Sequence, residues 1–148
     1  MTKPSYGYYF AYGSNIDHAQ MSQRCPEAVV FATARLSGYR FIINARGVAT
    51  IVPQASSAVY GILWTITEAD EQSLDNYEGM RWGTYKKMLV NVEVAAEQSF
   101  RALAYVASDS TPGSPRDNYI ENILAAAAQY GLPDKYVEEL TSWSKTGN

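Results

Sequence analysis

Reactive side chains are scarce in this sequence, and that scarcity narrows the chemistry. Ser-His-Asp or Cys-His hydrolysis needs a base at its nucleophile, and the only histidine is His18. His18 falls in the first turn of an expected helix and reads as a surface residue. Cys25, just before Pro26, has no neighbour that clearly lowers its pKa and reads as structural. Catalysis is left to carboxylates or tyrosines. Glu78 is the carboxylate out of place: it ends an expected helix, where the macrodipole disfavours negative charge, while Glu68, Asp70 and Glu71 occupy the favourable end. Breaches of a local rule can mark functional sites. On position alone, a solvated glutamate softened by Arg81 is the ordinary explanation. The second candidate is the turn Tyr12-Gly13-Ser14-Asn15, whose successive backbone N–H groups ahead of a helix can cradle a carboxylate. Strand-to-helix turns also use Gly, Ser and Asn for geometry alone.

These residues must be positioned by regular elements. Aromatic residues 8–12 read as a strand entering that turn. Asp17 then caps a short helix through about Arg24. Residues 28–35 and 39–45 are expected as strands separated by Ser37-Gly38, with a turn at Arg46-Gly47 and a further strand over 57–66. Thr67 and Asp70 are spaced for a capping box, Gly79 supplies a stop, and Leu74 and Tyr77 are expected to face inward. Residues 86–95 alternate, with Met88, Val90, Val92 and Val94 on one face, and Phe100, Ala102, Ala104 and Val106 repeat the pattern. An antiparallel pair follows. Ser114-Pro115 suits the start of a helix that ends near Gly131. Pro133 opens a last helix with Tyr136, Val137, Leu140 and Trp143 inward.

At 148 residues the chain fits one domain, residues 1–148, able to bury roughly 70% of its unfolded surface and so enclose a pocket. Its 47% hydrophobic and 18% charged residues are those of a globular protein without a membrane-spanning run. The start, MTKPSYGYYFAYGSN, lacks a charged leader followed by an apolar core, so no secretory signal is expected and the cytoplasm is the expected compartment. One cysteine and one histidine leave no zinc cluster. A net charge of −3 without a Lys/Arg-rich stretch argues against a nucleic-acid partner. Strands dominate the first two thirds and helices the end, which gives an α+β domain with a curved sheet or small barrel covered by helices.

The segment Tyr9-Phe10-Ala11-Tyr12-Gly13-Ser14-Asn15-Ile16 resembles the YGSN motif of gamma-glutamylcyclotransferases, usually followed by Leu or Met, so Ile16 is a mild departure. Gly47-Val48-Ala49-Thr50-Ile51 is similar to a glycine-led ATI segment of that family, and Leu74-Asp75-Asn76-Tyr77-Glu78-Gly79 resembles the segment bearing its catalytic glutamate. Gly83-Thr84-Tyr85, and Gly131-Leu132-Pro133 followed by Tyr136, extend the likeness over nearly the whole chain. The resemblance implies a small mixed β-barrel flanked by helices, with the YGSN loop and Glu78 meeting at a cavity. It implies an enzyme that closes a gamma-glutamyl group into 5-oxoproline, with Glu78 as the base, Tyr12, Gly13, Ser14, Asn15 and Ile16 around the substrate and Tyr85 as a secondary contact. No organic cofactor or metal is expected. Such a substrate carries its own nucleophile, the alpha-amine, which accounts for the missing protein nucleophile. Its leaving group, an amino acid, peptide or alkylamine, stays open. So do a non-catalytic binding module using the same pocket, an assembly role for Trp82 and Trp143, and a homodimer.

Overall fold

Alternating strand-forming segments build most of the computed structural model, which describes residues 6–77, 85–95 and 98–144. Strands β1 (Tyr6–Ala11), β2 (Val29–Ile43), β3 (Ala49–Thr67), β4 (Tyr85–Val94) and β5 (Gln98–Ala107) form a closed barrel in the order β1-β3-β2-β4-β5. Neighbours pair antiparallel except β1 and β5, which meet parallel at Tyr9 opposite Leu103. Helices α1 (His18–Arg24), α2 (Glu68–Tyr77), α3 (Tyr119–Tyr130) and α4 (Asp134–Trp143) flank it. The expected α+β barrel with helices is therefore the observed fold. No helix among the described residues is long and apolar enough to cross a membrane.

The core runs through both faces of β3. Ile62, Leu63 and Trp64 are buried in succession, so one side of this strand packs in the barrel and the other under the helices. The alternation read in the two later strands holds, with Val90, Val92, Ala102 and Ala104 buried and Leu89 paired with Leu103 in the antiparallel ladder. Met21 and Cys25 of the α1 region, Leu74 of α2, Ile120 and Ile123 of α3, and Tyr136 and Leu140 of α4 close over the barrel.

Several expectations are corrected. The segments on either side of Ser37-Gly38 are one strand, β2, because Gly38, at φ 87°, takes up a register shift between Ser37 and Tyr39 without reversing the chain. Strand β3 begins at Ala49 and passes through Pro53, which lies opposite Tyr39, while Ala58 lies opposite Ser37. Residues 54–57 therefore bulge out opposite Gly38, beside a proline that has no N–H to donate. Helix α3 starts at Tyr119, not at Ser114-Pro115. The intervening chain is tied to the β2–β3 turn instead: Gly113 N donates to Ile43 O at 2.8 Å and Arg116 N to Gly47 O at 3.1 Å. Those bonds satisfy amides that a helix start would leave open. Tyr77, expected inward, is 58% exposed, since it lies at the end of α2 against the Arg24 guanidinium.

Candidate active site

Strand β1 delivers the chain into a tight 3-10 turn, Ser14–Ile16, closed by Ile16 N donating to Gly13 O at 3.1 Å. Asp17 then caps α1 as its residue type dictates, accepting from Ala19 N at 3.2 Å. Asn15 is only 2% exposed, and burial of an amide requires partners for both its ends. Its Nδ2 donates to Tyr9 Oη at 3.0 Å, while its Oδ1 accepts from Gln20 Nε2 at 3.2 Å and Arg24 Nη1 at 3.0 Å. The Asn15 side chain thus holds the turn in place. Gly13 is confined too: a β-carbon there would lie 3.3 Å from both Ala49 Cβ and Tyr119 Oη.

Beside the turn lies a cavity of about 40 Å³, walled by Tyr9, Phe10, Tyr12, Gly13, Asn15, Ala49, Tyr85, Tyr105 and Tyr119. This is room for a group of a few heavy atoms, such as a carboxylate. Hydroxyl bonds tie its walls together. Tyr12 Oη donates to Tyr105 O at 2.5 Å, and Tyr105 Oη donates to Asp75 Oδ1 of α2 at 2.6 Å. Tyr119 Oη accepts from Ala49 N at 3.0 Å, which links the first residue of α3 to the start of β3. Burial, and then the bonded Asp75 carboxylate, push the Tyr105 hydroxyl far above the tyrosine range, so it stays a neutral donor. Asp75 also pairs with Lys87 at 3.1 Å, and Lys87 with Glu71 at 2.7 Å.

Residues 58–140 match the model of the AIG2-like family. The human gamma-glutamylcyclotransferase is 30% identical over 142 residues, spanning 89% of this chain and 76% of that protein. The chain belongs to the gamma-glutamylcyclotransferase family. Its members include the bovine gamma-glutamylcyclotransferase, 28% identical over 90% of this chain and 77% of its own length. A solved gamma-glutamyl cyclotransferase structure superposes with a TM-score of 0.87 at 28% identity, covering 97% of this chain and 92% of its own. A human protein solved by ensemble refinement superposes at 0.89 with 27% identity, covering 97% and 91%. Membership makes this protein an enzyme.

Within this gamma-glutamylcyclotransferase fold, Tyr12, Gly13, Asn15 and Tyr85 line one cavity. Ser14 contributes backbone to the same turn. Ile16 is placed differently: its amide is engaged inside the turn and the residue is buried in the core. Glu78 lies outside the described residues, as do Gly79, Arg81, Trp82, Gly83 and Thr84. His18 is exposed. Cys25 is fully buried, and burial with the nearby Asp70 charge pushes its thiol up to about 12, the opposite of an activated nucleophile. Trp143 is half-buried against the core. Among the described residues no three His, Cys, Asp or Glu side chains converge as metal ligands.

Tyr9, Tyr105, Tyr119 and Asp75 were not singled out by sequence. Two signals were available. Tyr105 interrupts the small-residue alternation of β5 yet is only 3% exposed, and a bulky residue out of phase on a barrel strand needs a polar partner for its hydroxyl. Asp75 follows Glu71 by four positions, the spacing that puts two carboxylates on one face of a helix, where Lys87 meets both.

Proposed function

We propose that this enzyme closes the gamma-glutamyl group of a small molecule into 5-oxoproline and releases an amine or amino acid. The observation that carries the reading is the cavity where the amide-bearing turn after β1 meets the tyrosines of β4, β5 and α3, in a chain that belongs to this family. In the proposed reaction the alpha-carboxylate sits against the amides of Gly13, Ser14 and Asn15, the Ile16 amide being engaged by Gly13 O. That anchors the end of the substrate that does not leave and aims the alpha-amine at the gamma-carbonyl.

Glu78, ionised, removes a proton from the alpha-ammonium. The amine nitrogen then bonds to the gamma-carbonyl carbon, giving a five-membered tetrahedral adduct. The bond from that carbon to the leaving nitrogen breaks as Glu78 returns the proton to it, and the again-ionised carboxylate takes the second proton from the ring nitrogen and passes it to the released amine. Substrate in and 5-oxoproline plus amine out balance without water or a protein nucleophile. Intramolecular attack carries effective molarities of about 10⁵ to 10⁸ M, so one positioned carboxylate suffices. Tyr12 shapes the pocket and Tyr85 contacts the substrate. We assign the reaction to the cytoplasm, where one unpaired thiol is ordinary.

The test is 5-oxoproline release from gamma-glutamyl amino acids, glutathione and gamma-glutamyl alkylamines by the native protein and Glu78→Gln. Glutamine keeps the shape and removes the base, so turnover is expected to fall by about 10² to 10⁴-fold with an unchanged melting curve. Near-native turnover in the variant would remove Glu78 from the mechanism. Ligand binding without release by the native protein would make the fold a binding module.

A further inference from the structure

Arg24 is the last residue of α1 and touches three separate pieces of the molecule. Its Nη1 donates to Asn15 Oδ1 at 3.0 Å, its Cζ stands 4.6 Å from the centroid of the Tyr77 ring, and its backbone carbonyl accepts from Ser73 Oγ on α2 at 2.6 Å. Asn15 belongs to the turn that lines the cavity. Tyr77 closes α2 and immediately precedes Glu78 in the chain.

We propose that Arg24 is a positioning residue that couples the Gly13-to-Asn15 turn to the segment leading into Glu78. The inference rests on the reaction proposed above. Its chemistry is specific to a guanidinium, whose planar edge donates hydrogen bonds while its face stacks on an aromatic ring. Arg24 donates Nη1 to Asn15 Oδ1 and sets its Cζ over the Tyr77 ring. An ammonium is a compact point charge on a flexible stem, without the rigid planar fork that fixes donor and aromatic contact together. The competing explanation is that a basic residue in the last turn of α1 offsets the helix macrodipole. That role needs charge only, and lysine would fill it equally well.

The two explanations separate in Arg24→Lys. A misplacement of about 1 Å at a reacting centre costs on the order of 10²-fold in rate, so loosening both ends of the bridge lowers kcat/KM by about tenfold or more, equivalent to about 1.4 kcal/mol. Tyr77→Leu removes only the ring at an exposed position. It is expected to lower kcat several-fold with little change in KM, and Tyr77→Trp, whose face binds cations better, restores most of it. The assay uses the gamma-glutamyl compound giving the fastest release with the native enzyme. Native kcat/KM in Arg24→Lys, or native kcat in Tyr77→Leu, overturns the proposal. Hydrogen exchange read by mass spectrometry decides the coupling independently of turnover. Arg24→Lys is expected to speed exchange in residues 13–16 and in α2 together, and native exchange in both segments overturns the coupling. Should the native protein release no 5-oxoproline, the reaction fails while the exchange result still decides whether Arg24 couples the two segments.

Discussion

Gly13 shows how little slack the site has. A methyl group there meets Ala49 Cβ and Tyr119 Oη at 3.3 Å. The second of these atoms is held by the Ala49 amide and cannot swing away without giving up that bond. Gly13→Ala therefore moves either the turn or Tyr119, both of which wall the cavity. The expected outcome is a KM raised about tenfold or more, the scale of one displaced charge-assisted contact, with a melting temperature within a few degrees of native. Steady-state kinetics beside a thermal melt checks it. At this scale the YGSN stretch was readable because glycine and asparagine have few roles in a strand-to-helix turn. Tyr105 and Tyr119 were not, because 12 tyrosines present the same chemistry and only tertiary neighbours single out the two that face the turn. Ile16 lies inside the matching motif and is also packed into the core.

Helix α2 carries the strand-rich half of the chain toward Glu78, and its first turn is fastened reciprocally. Thr67 N donates to Asp70 Oδ2 at 3.0 Å and Asp70 N donates to Thr67 Oγ1 at 3.1 Å, the capping box that the sequence predicts. Thr67→Ala removes the hydroxyl acceptor and is expected to cost about 1 kcal/mol, a fall of roughly 2–4 °C in melting temperature for a chain of this size. Calorimetry measures it, and an unchanged melting temperature would mean that packing of Leu74, fully buried, holds α2 unaided. Local signals of this kind made most elements legible: the Asp17 cap, the alternation of β4 and β5, and the Gly131 end of α3. They failed where a distant partner took the backbone. Ser114-Pro115 reads as a helix start only until Arg116 and Gly113 bond to the β2–β3 turn, and Gly38 reads as a break only until β3 runs past it.

Barrel closure is a property of the whole molecule that no local pattern encodes, because the β1–β5 contact at Tyr9 and Leu103 joins strands far apart in sequence. Closure brings the Tyr105 hydroxyl against Asp75, and Lys87 of β4 against Asp75 and Glu71, so a chain of polar contacts joins β5, α2 and β4. Its pH response has a definite sign. Tyr105 is raised from its ordinary 10.0 by burial first, then by Asp75, with Tyr9 and Glu71 adding to the shift. Lys87 is raised from 10.5, with its hydrogen bond to Glu71 the largest cause. In both cases the folded protein holds its proton more tightly than the unfolded chain, so stability is level below about pH 10 and falls as the unfolded groups deprotonate above it. Urea midpoints measured from about pH 8 to about pH 11 are expected to decline on the alkaline side. Tyr105→Phe starts lower by about 1 kcal/mol through loss of its hydrogen bond but declines less steeply, having one fewer group to titrate. Equal alkaline slopes in the two proteins would move the effect to Lys87 and to Tyr136 and Tyr130, whose hydroxyls burial also raises, and would remove Tyr105 from the alkaline limit.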